Sequence, residues 1–249
     1  MSTLLDEGVP PVRRKVILFM LVDKSGSMEG CKIGAVNDAM ENVIPIVKEI
    51  SDENADFEIE MAVLEFSNSA EWTFDHPKPI DGFMWKKISA EGMTAFGAAC
   101  TELLSKLSKQ EGGFMGSKIG YGAPAIVLLS DGGPTDSYRE ALDRLKENQW
   151  FKHSIKIAIA IGDDANKKVL CEFTGSSEAV ITVKKLESLK QMIHLVVLSS
   201  TKVASKTGTV GKLTKQEEVE SVVRNEIKSI DGIDLSTSIV DTDADGNWD

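Results

Sequence analysis

An unbroken apolar run, VILFMLV from Val16 to Val22, ends in an aspartate followed by alternate serines, DKSGS. Seven consecutive apolar residues leave no side of an extended chain for water, so the run predicts a strand covered on both faces. The pattern returns at APAIVLLS (123–130) and SIKIAIAIG (154–162), with a shorter AVITV at 179–183. Between these runs lie stretches with helical spacing: 31–50, with Pro45 expected to kink it, then 95–110, 136–150, a short one near 164–173, and one from about Leu186 to Leu198. Asp136, or Ser137 with Glu140 three residues on, is expected to cap the 136–150 helix. FEIEMAVLEFS (57–67) followed almost at once by SAEWTFD (69–75) predicts an antiparallel hairpin. Alternating strand and helix with continuous apolar strands implies an α/β fold, a doubly wound and mainly parallel sheet. Ligands of such sheets sit at the carboxyl ends of the strands, at the switch point.

Those strand ends carry oxygen. Asp23, Ser25 and Ser27 follow the first run, Thr94 lies in the glycine-flanked loop AEGMTAFGAA before a helix, and Asp131 closes the run in LLSDGGPTD. A doubly wound sheet brings the three loops to one edge. Five oxygen donors with two formal charges suit a hard divalent cation, Mg²⁺ or Mn²⁺. The i, i+2 spacing lets Ser25 and Ser27 reach one metal while Asp23 holds a metal-bound water, with Gly26 permitting the bend. An open position would then accept a carboxylate from outside. The competing structural role for Asp23 or Ser27 is to cap the 31–50 helix. Thr135 and Asp136 read as turn and cap rather than as ligands.

These stretches resemble a known family. DKSGS, the threonine of GMT and the aspartate of LLSDG are similar to the five elements of the metal-ion-dependent adhesion site of von Willebrand factor A domains, in order and in strand context. LLSDGGPTD and the lead-in RRKVILFMLVDKSGSM resemble the TerY-type group of bacterial tellurium-resistance and stress operons more closely still. The likeness runs from about residue 12 to 205. It departs at Met93, where glycine is commoner. The resemblance implies a Rossmann-like sheet with one antiparallel edge strand and a metal-dependent binding module rather than an enzyme. It further implies a cytoplasmic setting, and a protein partner that supplies an acidic residue to the metal. Operon-encoded Ser/Thr kinase and PP2C-type phosphatase proteins are the implied associates. The alternative is a Mg²⁺-dependent hydrolase or phosphatase using the same ion, for which the sequence offers neither a second metal cluster nor a nucleophile pattern.

Charge and cysteine content agree with that reading. A net charge of −11 argues against nucleic acid and anionic membrane as partners, since both demand a basic face. Cys31, Cys100 and Cys171 are scattered and odd in number, which predicts reduced thiols in an intracellular protein. Residues 1–15 lack the pattern of a signal peptide, and MIHLVVLSS (192–200) is too short to span a bilayer. His76, His153 and His194 are far apart and read as structural, Glu60 and Glu65 as strand-face residues, Cys100 as helix-buried, and Trp72 and Trp85 as packing.

The expected organisation is an N-terminal arm over 1–12, the A domain over 13–203, a linker with one further helix over 204–230, and an acidic tail over 231–249. The tail holds six aspartates and no lysine or arginine, over half of the net charge. DTDADGNWD (241–249) copies the first half of an EF-hand loop but lacks its glutamate at position 12, so a solvated tail is the simpler reading. A tail aspartate filling the open position on the metal is the further alternative.

Overall fold

Every residue from Val16 to Asp23 of the first strand, β1 (Arg14–Asp23), is buried. The computed structural model describes residues 13–116, 120–131, 133–163, 165–206, 213–228 and 233–235. After β1 come α1 (Cys31–Glu53), β2 (Phe57–Phe66), β3 (Ala70–Trp72), β4 (Lys78–Pro79), α2 (Phe96–Lys106), β5 (Ala125–Ser130), α3 (Arg139–Glu147) and α4 (Gln149–His153). Then follow β6 (Ile155–Ile161), α5 (Lys167–Thr174), β7 (Val180–Val183), α6 (Leu186–Ala204), α7 (Lys215–Ile227) and β8 (Ile233–Leu235).

The sheet order is β3-β2-β1-β5-β6-β7-β8, with β4 also on β2. Strands β2, β1, β5, β6 and β7 run parallel. The 57–75 hairpin forms as expected, with Leu64 opposite Trp72. A second antiparallel edge, which the sequence reading did not include, closes the far side, where Ile233 pairs with Val183 and Leu235 with Ile181. The chain therefore leaves β8 heading toward the amino ends of the parallel strands.

Alternation along β1 divides two cores. Val16, Leu18, Met20 and Val22 pack in the layer with α1, α6 and α7, while Ile17, Phe19 and Leu21 pack in the layer with α2, α3 and α5. At roughly 1.5–3 kcal/mol per buried large apolar side chain, this one strand pins both helical layers. None of the described helices is long and apolar enough to cross a membrane.

Helix α1 runs through Pro45 as one element. Two local expectations are corrected. The 136–150 stretch forms two helices, because the Asn148 side chain accepts from Trp150 and Phe151 N–H and starts α4 afresh. Helix α3 has Tyr138 at its N-cap with no side-chain bond, so neither Asp136 nor the Ser137–Glu140 box caps it. The further helix, α7, does carry a capping box, made by Thr214 and Glu217. The residues of DTDADGNWD lie outside the described residues.

Candidate metal centre

The order reverses at β1, whose following helix leads to β2 on one side while β5 lies on the other. Asp23 ends β1 and Asp131 follows Ser130, the last residue of β5. The register sets Val22 beside Leu129, so the next residues, Asp23 and Ser130, are neighbours. The Ser130 hydroxyl donates to Asp23 Oδ2 at 2.6 Å, and the Ser25 N–H donates to Asp23 Oδ1 at 2.9 Å. Asp23 is thus held on both oxygens.

Beyond it the hydroxyls form a chain. Ser25 Oγ and Ser27 Oγ lie 3.1 Å apart, and Ser27 donates to Asp131 Oδ1 at 2.7 Å. The other oxygen of Asp131 takes an ion pair from Lys32. Asp23, Ser25 and Asp131 are buried, whereas Ser27 is exposed at the mouth. Burial pushes the Asp23 carboxyl above its ordinary range, with the hydrogen bonds from Ser130 and Ser25 opposing it and the charge of Asp131 adding to it.

Thr94 arrives on the third loop. Gly26 N–H donates to Gly92 O at 2.9 Å, which ties the loop after β1 to the one before α2. Thr135 clamps the Thr94 backbone from both sides: its hydroxyl accepts from Thr94 N–H at 3.1 Å and its N–H donates to Thr94 O at 2.9 Å. Gly92 sits at φ +81°, and a Cβ there would meet the Asn68 side chain at 2.7 Å. That same Asn68 accepts from Met93 N–H at 2.9 Å and fixes the turn. Asp136, expected to cap its own helix, caps α2 instead, accepting from Gly97 and Ala98 N–H at 3.0 and 3.1 Å. A Cβ on Gly97 would lie 2.9 Å from Asp136 Oδ2, so glycine permits the approach.

The structure thus joins Asp23, Ser25, Ser27 and Asp131 by direct hydrogen bonds and sets the Thr94 loop beside them. Sequence reasoning missed Ser130, whose role is legible only from register, and Lys32, the second residue of α1. It also gave Thr135 and Asp136 local roles where they position the Thr94 loop. The donors at this edge are hydroxyl and carboxylate oxygens, a set suited to a hard divalent cation. Among the described residues no group of three or more His, Cys, Asp or Glu could hold a metal ion, so a site rich in soft or nitrogen ligands has no counterpart there. Of the other residues singled out, Cys100 is buried and its thiol pushed up by burial. Glu60 and Glu65 pair with Lys15 and Lys24.

Comparison with solved structures finds the same architecture. A von Willebrand factor type A protein from Catenulispora acidiphila aligns with a TM-score of 0.56 and 16% identity over 76% of this chain and 43% of its own. Proximal thread matrix protein 1 from the mussel byssus, solved with a zinc-occupied MIDAS motif, aligns at 0.53 and 19% over 76% of this chain and 46% of its own. The pilus adhesin SpaC from Lactobacillus rhamnosus GG aligns at 0.58 and 13% over 78% of this chain and 32% of its own. This chain therefore spans less than half the length of each. Comparison with curated protein sequences finds no match. The family model for the von Willebrand factor type A domain matches residues 18–195, from within β1 to within α6. With that match over most of its length and with this sheet, the chain belongs to the von Willebrand factor type A domain family.

Proposed function

We propose that this chain is a metal-dependent protein–protein interaction module whose Mg²⁺ or Mn²⁺ is held by Asp23, Ser25, Ser27, Thr94 and Asp131. The observation that carries this reading is the hydrogen-bonded run from Asp23, through the Ser25 N–H and the Ser25 and Ser27 hydroxyls, to Asp131 at the switch point. When bound, the ion supplies an electrophilic point for a partner's Asp or Glu. Ser25, Ser27 and Thr94 offer neutral hydroxyls, and the Asp23 and Asp131 carboxylates anchor the cluster from behind. Few direct charges leave the cation short of electron density, which favours an incoming carboxylate. An adhesin and a byssus matrix protein among the structural neighbours are consistent with binding as the task.

The finer setting rests on the sequence motifs. Their likeness to TerY-type proteins supports a bacterial cytoplasmic stress-response role alongside a Ser/Thr kinase and a PP2C-type phosphatase. The test is calorimetry with Mn²⁺ on the purified chain, followed by capture of partners with and without EDTA. Binding that disappears in Ser27→Ala and Asp131→Ala is expected. Unchanged Mn²⁺ binding in both variants refutes the site, and Mg²⁺-dependent phosphoester turnover lost in Asp131→Ala replaces the module with the hydrolase.

A further inference from the structure

The chain between β3 and α2 folds against the antiparallel edge of the sheet and leaves a groove of about 420 Å³. Its floor is aromatic. Phe74 meets Phe83 edge-on with ring centroids 5.6 Å apart, and Trp85 is fixed by its Nε1–H, which donates to Asn37 Oδ1 at 2.9 Å. Met84 stands on the rim at 79% exposure, the most exposed large hydrophobic side chain of the described residues. A cavity of this size with a fixed apolar floor is of the kind that takes a large side chain.

The rim is cationic. Lys86 Nζ lies 4.3 Å and Lys78 Nζ 5.6 Å from the Phe74 centroid. Among the described residues neither ammonium has an ion-pair partner, whereas Asp81, the carboxylate lining the groove, is taken by Lys48. Of the three lysines and two aspartates of the stretch 73–88, Lys87 pairs with Glu41 and Asp81 with Lys48, which leaves Lys78 and Lys86 against Asp75 in a chain of net charge −11. Uncompensated positive charge around an apolar floor, on an otherwise acidic molecule, selects an occupant that is both acidic and apolar.

We propose that this groove docks an acidic segment of a partner protein that carries a large apolar side chain. The apolar group enters between Phe74, Phe83 and Met84, and flanking carboxylates meet Lys78 and Lys86. The surface is separate from the metal centre. Pro79 pairs with Glu60, six residues before the end of β2, which puts that part of the groove about 20 Å along the strand from the end that pairs with Asp23.

The experiment is fluorescence anisotropy of the full chain, in EDTA, with a labelled Glu-Glu-Trp-Glu-Glu peptide. Saturable binding that weakens with salt is expected. It should fall about tenfold when Lys78→Glu and Lys86→Glu are combined, and by a smaller factor in Met84→Ala, with circular dichroism unchanged. Asp131→Ala should leave it intact, which separates this surface from the metal reading. Equal binding of a Lys-Lys-Trp-Lys-Lys peptide, indifference to the three substitutions, or no binding at all overturns the proposal. It is also overturned if the peptide binds only after Asp241, Asp243, Asp245 and Asp249 are changed to Asn, because the occupant is then this chain's own acidic stretch.

Discussion

Gln216 brackets the backbone of Lys156: its Oε1 accepts from Lys156 N–H at 2.7 Å and its Nε2 donates to Lys156 O at 2.9 Å. Strand β7 joins β6 only from Ala158 onward, so on the side of β6 away from β5 no strand among the described residues lies beside Lys156. One amide side chain from α7 supplies the missing rung. It does so from a helix that lies after the residues matched by the family model. Gln216→Leu leaves a buried donor and acceptor unpaired and should cost about 1–3 kcal/mol. Urea unfolding checks this, with Mn²⁺ binding expected to be unchanged.

Lys156 itself gives a pH dependence. Burial lowers its ammonium to about 8, with the charge of Glu220 opposing the shift. In the unfolded chain the group titrates near 10.5. Between those values the unfolded state binds more protons, so stability should rise with pH from about 8 to 10.5 on this account. Below that window both states are protonated, the desolvation cost is at its full value, and the contribution is flat. Lys156→Met should remove this rise, as read by chemical unfolding at pH 7, 8.5 and 10.

Asp136 caps a helix that is not its own. Asp136→Ala strips the first turn of α2 of its acceptor and should cost about 1–2 kcal/mol. Because α2 begins two residues after Thr94, the same change should weaken Mn²⁺ binding, whereas an equally destabilising core substitution in α5 should not. Calorimetry on stability-matched variants distinguishes the two.

If Asp131 holds the metal as proposed, Lys32 and an incoming divalent cation compete for it. Lys32→Met should raise Mn²⁺ affinity by about threefold to tenfold, since a positive charge leaves the carboxylate. In EDTA the same variant should melt lower, because the buried Asp131 loses its counter-charge. A variant that loses Mn²⁺ affinity instead would show that Lys32 holds the site in shape.

What could be read from the sequence was whatever depends on near neighbours along the chain. Val16–Val22 is apolar on both faces, so its burial followed directly, and with it the placing of Asp23 and Asp131 at the strand ends. The hairpin was legible because so few residues join its strands. Roles that depend on a partner distant in sequence were not. Nothing in GGPTD says that Asp136 will reach α2, and nothing in TKQEE says that Gln216 will complete β6. Strand β8 is three residues long with an aspartate at its centre, too short and too polar to carry a period. The break at Asn148 was present as a cap residue inside an otherwise helical pattern and was outweighed by the apolar spacing around it.

The direction of β8 has a mechanical consequence. The proposed metal centre lies at the carboxyl ends of the parallel strands, and β8 points toward the opposite pole. Tension between a partner held at the centre and whatever continues past Leu235 runs along the strand axes. The hydrogen bonds between β7 and β8 are then loaded side by side, in shear, instead of being peeled one at a time. Bonds loaded together in this way resist a pull better than the same bonds opened in turn from one end.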